Sequence, residues 1–180
     1  INDINPELVN CYQIVKTQTD DLISLLKTHK HDKNYYLEIR NLDRQEGGLS
    51  VLSPLERASR FIYLNRTGFN GMYRVNSKGL NNVPFGRYKN PSIVNEDVLR
   101  ASAKALIDTQ ISNQSFQDCL SNARKGDFVY LDPPYVPLND TSYFTSYMTN
   151  GFTMTDQKSL AALVTELDKR GVVFVASNAF

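Results

Sequence analysis

Four consecutive residues, Asp132-Pro133-Pro134-Tyr135, combine types that can act on a weakly nucleophilic amine. An exocyclic amine on a nucleobase has its lone pair delocalised into the ring. Alkylating it requires acceptors that take its N–H hydrogens and turn the lone pair outward. An ionised Asp carboxylate only accepts, and a proline carbonyl belongs to a residue with no N–H of its own. The fixed φ of each proline keeps both acceptors rigid, which is the preorganisation that electrostatic catalysis uses. Tyr135 offers a flat face on which an extracted base can stack, a contact worth about 1–3 kcal/mol in nucleic-acid sites. A strand closed by a plain turn could carry the same prolines, but the flanking Asp and Tyr favour chemistry.

The surrounding residues are those needed to position this motif. Phe128, Val129, Tyr130 and Leu131 form an apolar run between Lys125-Gly126-Asp127 and the double proline, which predicts a short buried strand. Asp132 then stands at the carboxyl end of that strand, the edge where open α/β sheets bind ligands. Thr155-Asp156 predicts a helix start, with Leu160, Leu163, Val164 and Leu167 inward and Gly171 as its stop. Residues 172–176 predict a second buried strand, and strand–helix–strand order points to a parallel sheet. The polar and aromatic residues 139–150 suit a loop over the site.

Net charge is +1, but its distribution is uneven. Residues 57–89 contain Arg57, Arg60, Arg66, Arg74, Lys78, Arg87 and Lys89 without any Asp or Glu, leaving 13 basic and 19 acidic residues elsewhere. The chain reads as a mildly acidic body with one wholly basic segment, the form of a polyanion footprint. Interleaving with Tyr63, Phe69, Tyr73, Phe85 and Tyr88 favours DNA over a merely solvated face.

Helix signals fill the first half. Asn5 is a good N-cap and Pro6 a good first residue, with Leu8, Val9, Tyr12, Ile14 and Val15 as the apolar face. A second helix is expected from Thr19, and a third over 35–42 with Leu37 and Ile39 as core. Ser53-Pro54-Leu55-Glu56 is a capping-box start; its helix should place Ala58, Phe61, Ile62 and Leu64 inward and leave Arg57, Arg60 and Arg66 facing DNA or solvent. Gly68-Phe69-Asn70-Gly71 ends it, and an Asn- and Gly-rich stretch suited to hairpins follows. Further helices are expected from Asn95 and from Ser115.

Composition bounds the rest. No apolar run approaches the ~18 residues of a membrane span, and residues 1–8 lack the pattern of a signal peptide, so the expectation is a cytoplasmic protein. Cys11 and Cys119 read as buried thiols. His29 and His31 lie in a Lys-rich loop without a CxxC pair, so no metal site is expected. Absence of a Pro-Cys nucleophile argues against cytosine C5 chemistry, which needs a thiolate.

The motif Asp132-Pro133-Pro134-Tyr135 resembles that of amino-methyltransferases acting on DNA. Residues 61–89, FIYLNRTGFNGMYRVNSKGLNNVPFGRYK, resemble the target-recognition region of Dam-type DNA adenine methyltransferases. The likeness runs from INDINPELVNCYQ nearly to the chain's end and is strongest to the adenine methylases of DpnII-type restriction–modification systems. It implies a Rossmann-like class I methyltransferase α/β sheet, formed by residues 1–34 and 95–180, with an inserted, mostly helical target-recognition lobe at 35–94. It also implies S-adenosylmethionine as methyl donor, with Asp3 on its ribose and Asp132 near its methyl, and double-stranded DNA as partner, at GATC. Arg74 would read a guanine, Pro84 a thymine methyl, and Phe69 and Met72 would wedge into the base stack. Asn70, Asn76, Lys78, Arg87, Tyr88 and Lys89 complete the implied DNA contacts. A cognate restriction endonuclease would belong to the same system without direct contact. Family members carry a Lys-bearing segment and a Phe-x-Gly-x-Gly loop ahead of the position where this chain starts, and further strands beyond Ser177-Asn178-Ala179-Phe180, so a fragment is expected. The alternatives are cytosine N4 methylation, which more often has Ser in place of Asp132, and a catalytically inactive DNA-binding fragment.

Overall fold

A computed structural model describes residues 1–134 and 152–177, which fall into two compact units, Ile1–Asn113 and Gln114–Phe180.

The first unit is helical. Helix α1 (Pro6–Thr17) starts where Asn5 accepts from the Glu7 and Leu8 N–H groups at 3.0 and 3.3 Å. It is followed by α2 (Thr19–Leu26) and α3 (Lys33–Asn41), the latter capped by Asp32. Helix α4 (Pro54–Thr67) begins with both halves of the Ser53–Glu56 capping box in place. Helix α5 (Glu96–Leu106) is capped by Asn95. One apolar cluster joins Cys11, Ile14 and Val15 of α1, Leu22 and Leu26 of α2, Ala58 of α4 and Leu106 of α5. A second joins Tyr36 of α3 to Tyr63 and Leu64 of α4.

Helix α4 is therefore covered on two sides, by α1 and α2 on one and α3 on another. This corrects two expectations. In α3 the wholly buried residue is Tyr36, while Leu37 and Ile39 are only half-buried. In α4 the inward stripe includes Arg60, Tyr63, Leu64 and Thr67, the i, i+3, i+4, i+7 spacing of one helix face. Arg60 is thus part of the interior and does not face solvent.

The second unit holds α6 (Phe116–Cys119), β1 (Phe128–Leu131), α7 (Met154–Lys169) and β2 (Val173–Ala176). Helix α7 starts at Met154, one residue earlier than the predicted Thr155, because Thr153 forms a capping box with Asp156. Gly171, with φ +71°, closes it. Strands β1 and β2 run parallel, with Phe128 opposite Val173 and Leu131 opposite Ala176. The predicted parallel pairing is present, but full burial is not. Phe128 and Tyr130 are 65% and 64% exposed and Val173 is 61% exposed, whereas Leu131, Leu160, Leu167 and Val172 are buried. Among the described residues, one face of this two-stranded sheet has no cover. Cys119 is also exposed, against the expectation of a buried thiol, because α6 is a single turn on the surface.

Candidate active site and nucleic-acid interface

Gly126, at φ +99°, and Asp127 turn the chain into β1; the Asp127 carboxylate accepts the Arg124 N–H at 2.9 Å. The parallel ladder extends past both strands, from Val173 N–H to the Asp127 carbonyl at 3.1 Å and from Ser177 N–H to the Leu131 carbonyl at 2.8 Å. Asp132 is the first residue beyond the ladder, and Pro133 has no N–H with which to prolong it. Its side chain is exposed at the carboxyl end of β1, while Pro133 and Pro134 are half-buried. Tyr135 lies outside the described residues.

Asp3 is built into the first unit by its backbone. Its N–H donates to the Ser112 carbonyl at 3.2 Å, and its carbonyl accepts the Asn113 carboxamide at 2.9 Å. One carboxylate oxygen accepts the Asn5 N–H at 2.7 Å. A carboxylate so fixed, half-buried at the start of α1, retains acceptor capacity for a pair of hydroxyls.

The basic segment folds into a tip and a hairpin beside α4. The tip, a 3-10 turn over Phe69–Gly71, has Asn70 at φ +54° and Gly71 at φ +62°. Asn is among the few side chains that tolerate this left-handed region. The Asn65 carboxamide on α4 donates to the Gly71 carbonyl and ties the tip down. Phe69 is left 46% exposed, Asn70 is exposed, and Met72 is half-buried. A bridge between Gly68 and Phe85, with Phe69 N–H on the Pro84 carbonyl at 2.9 Å and Gly86 N–H on the Thr67 carbonyl at 2.8 Å, sets the returning strand against the end of α4. A Cβ at Gly86 would lie 2.8 Å from the Thr67 carbonyl oxygen, so this approach needs glycine.

Residues 74–82 form the hairpin, closed by a Val75–Asn81 bridge. Asn76 shapes its turn: its side-chain oxygen accepts Lys78 N–H at 2.9 Å and Leu80 N–H at 3.1 Å. Arg74, Lys78, Pro84, Arg87, Tyr88 and Lys89 are all exposed, and Asn76 is half-buried.

Residues that sequence reasoning did not single out hold the hairpin and its returning strand in place. The Asp43 carboxylate accepts Arg60 Nη2 at 2.9 Å and the Asn81 N–H at 2.8 Å, and also pairs with Arg44. Arg60 donates further to the carbonyls of Ile39 and Arg40 at 2.9 and 2.7 Å. Burial pulls the Arg60 guanidinium below its ordinary pKa, and Asp43 opposes that shift. The Val83 carbonyl accepts both the Tyr36 hydroxyl at 3.0 Å and Arg40 at 3.1 Å. Burial pushes the Tyr36 hydroxyl up to about 12, so it stays a neutral donor. Arg57 pairs with Glu7 on α1. Of the seven cations in the basic segment, Arg60 and Arg57 therefore serve the fold, and the outward charge comes from Arg66, Arg74, Lys78, Arg87 and Lys89. No local pattern marks Asp43, which lies 17 residues before its partner.

Among the described residues, no group of three or more His, Cys, Asp or Glu gathers to hold a metal, and no helix is long and apolar enough to cross a membrane.

The family model described as D12 class N6 adenine-specific DNA methyltransferase matches residues 1–179. Type II methyltransferase M1.LlaDCHI of Lactococcus lactis subsp. cremoris is 46% identical over 182 residues, which cover 99% of this chain and 64% of that protein. Type II methyltransferase M.MjaIII of Methanocaldococcus jannaschii is 40% identical, with 100% and 65% covered. A DNA adenine methylase of Serratia marcescens is 41% identical, with 92% and 60% covered. The chain thus spans under two thirds of the length of these curated relatives. With the acceptor motif at its strand end and the basic hairpin beside α4, and matched along residues 1–179, this chain belongs to the D12 class N6 adenine-specific DNA methyltransferase family.

Proposed function

We propose that the protein containing this chain transfers a methyl group from S-adenosylmethionine to N6 of adenine in double-stranded DNA, at GATC. The observation that carries this reading is Asp132, exposed where β1 leaves the parallel sheet and followed by two prolines that cannot extend the ladder. In this reading the Asp132 carboxylate and a proline carbonyl of Pro133-Pro134 accept the two N6 hydrogens. The N6 lone pair then turns out of conjugation, and Tyr135 stacks on the extruded base. The rigid motif supplies orientation rather than a covalent intermediate, an effect that can reach about 7–11 kcal/mol.

Asp3 fits one part of the donor, its ribose. Asp3 keeps acceptor capacity beyond its bond to Asn5, as ribose hydroxyls require. When bound, S-adenosylmethionine supplies an electrophilic sulfonium methyl. Asp3 would hold its ribose and Asp132 would flank that methyl. We assign β1 and β2 to a Rossmann-like class I methyltransferase sheet, residues 1–34 and 95–180 to the catalytic part, and 35–94 to target recognition. Phe69, Asn70 and Met72 would fill the space left by the extruded base. Arg74 and Pro84 would read base edges, and Asn76, Lys78, Arg87, Tyr88 and Lys89 would line the backbone. Relatives named Type II methyltransferases support a place beside a restriction endonuclease.

The test is methyl transfer to GATC duplexes by the complete protein and its Asp132→Ala variant. The variant should lose detectable transfer and keep its DNA affinity within about twofold, as expected for a residue that acts on the reacting amine. Near-normal turnover by Asp132→Ala would overturn the catalytic assignment.

A further inference from the structure

Arg74 and Asn82 face each other across the base of the hairpin. The Asn82 N–H donates to the Arg74 carbonyl at 3.1 Å, one step from the Val75–Asn81 bridge. The two side chains meet as well: Arg74 Nε donates to the Asn82 carboxamide oxygen at 2.7 Å, and Arg74 Nη2 donates to the Asn82 carbonyl at 3.2 Å. A guanidinium has five N–H donors in a fixed plane. These two bonds use one side edge, Nε with Nη2. What remains is both hydrogens of Nη1 and one of Nη2, and one hydrogen from each of these nitrogens forms the end-on edge. That edge presents two parallel donors, the arrangement that matches O6 and N7 of guanine.

We infer that Asn82 is a specificity-positioning residue: it clamps the side edge of Arg74 and aims the end-on edge at a guanine. This rests on the reading that Arg74 contacts a base. The clamp is itself anchored. The neighbouring Asn81 is buried, gives its N–H to Asp43 at 2.8 Å, and receives the Val83 N–H on its side chain at 3.1 Å. The turn between the partners is closed by Asn76, with Gly79 at φ +75°. A free arginine must give up rotamer freedom when it meets a base. One already fixed on two bonds has given up most of that freedom on folding, so its contact discriminates more sharply. Asn82 touches no base in this arrangement and acts through Arg74.

The experiment measures binding of the complete protein to a GATC duplex and to duplexes with each base pair of the site replaced in turn. It compares wild type, Asn82→Ala, Arg74→Ala, the double variant and Asn82→Asp. Asn82→Ala should lower the cognate-to-substituted affinity ratio at one base pair by about three- to tenfold and leave affinity for that substituted duplex unchanged. In the Arg74→Ala background it should cause no further loss. Asn82→Asp keeps the acceptor for Nε and should retain the ratio while weakening every duplex through its charge; loss of the ratio in this variant overturns the inference even if the Ala variant fails to fold. Equal weakening of all duplexes by Asn82→Ala, or an undiminished effect on top of Arg74→Ala, also overturns it. If Arg74→Ala itself keeps the ratio, base reading by Arg74 fails and the inference falls with it. If Arg74→Ala loses the ratio and Asn82→Ala does not, only the inference fails.

Discussion

Replacing Asp43 by Ala should be among the most damaging single changes in the first unit. Three partners lose their acceptor at once: Arg60 Nη2 at 2.9 Å, the Asn81 N–H at 2.8 Å, and Arg44. The side chains of Arg60 and Asp43 are 8% and 6% exposed, so this is a buried pair. Removing one partner of such a pair costs about 3–5 kcal/mol. An unsatisfied buried N–H costs about 1–3 kcal/mol, and the more exposed Arg44 pair adds about 0–1 kcal/mol. These costs overlap, and Arg60 keeps the carbonyls of Ile39 and Arg40, so the net loss should be about 3–5 kcal/mol. At about 2–4 °C per kcal/mol, the melting temperature should fall by roughly 6–20 °C. Asp43→Asn keeps an acceptor for Asn81 and should cost less. Asp43→Leu combined with Arg60→Met removes both charges and should recover most of the loss. Urea unfolding followed by circular dichroism measures all three. A loss below about 1 kcal/mol for Asp43→Ala, or a double variant no better than Asp43→Ala, would refute the anchoring role.

Three further outcomes are expected. His29 is stacked on Tyr63 at 4.4 Å and bonded to Tyr35 at 2.8 Å and Ser59 at 2.9 Å, and burial lowers its pKa from 6.5 to about 4. The unfolded chain therefore takes up this proton first: the contribution is complete above about pH 6.5 and is lost as pH falls towards 4, so His29→Gln should flatten unfolding free energy against pH in that window, and an unchanged slope would remove His29 as its source. Burial pushes the Cys11 thiol up to about 12, with Glu7 adding to the shift, while Cys119 is exposed; an aromatic disulfide reagent at mild alkaline pH should titrate one thiol in the native protein and both in urea, and rapid native reaction of both would contradict the packing of α1. Lys78→Ala should weaken specific and scrambled duplexes by the same factor and reduce the salt slope by about one, whereas a loss confined to the specific duplex would make Lys78 a base reader.

Helix starts were legible because capping is local: Asn5 with Pro6, Ser53 with Glu56 and Asn95 each satisfy backbone N–H groups within three residues. The parallel strand pair was legible for a similar reason, since apolar runs bounded by Gly and Pro identify strands without reference to the rest of the chain. Asp132, Pro133 and Pro134 directly after an apolar run likewise mark a strand end in the sequence itself, and β1 does end at Leu131.

Tertiary structure decided which charges face outward and which apolar residues lie inside. Arg60 and Arg66 look alike in a row of basic residues, yet only Arg60 finds Asp43 and two carbonyls, and a buried guanidinium is tolerable only with such partners. Tyr36 is inside in place of Leu37 and Ile39 because its hydroxyl reaches the Val83 carbonyl, 47 residues away. The exposed face of β1 and β2 follows from what packs against each side, which periodicity cannot report. The clamp on Arg74 arises from the hairpin's register, since Asn82 meets the guanidinium only when Val75 lies opposite Asn81. Local signals determine where elements begin and end; the fate of each charge depends on a partner distant in sequence, and only folding brings the two together.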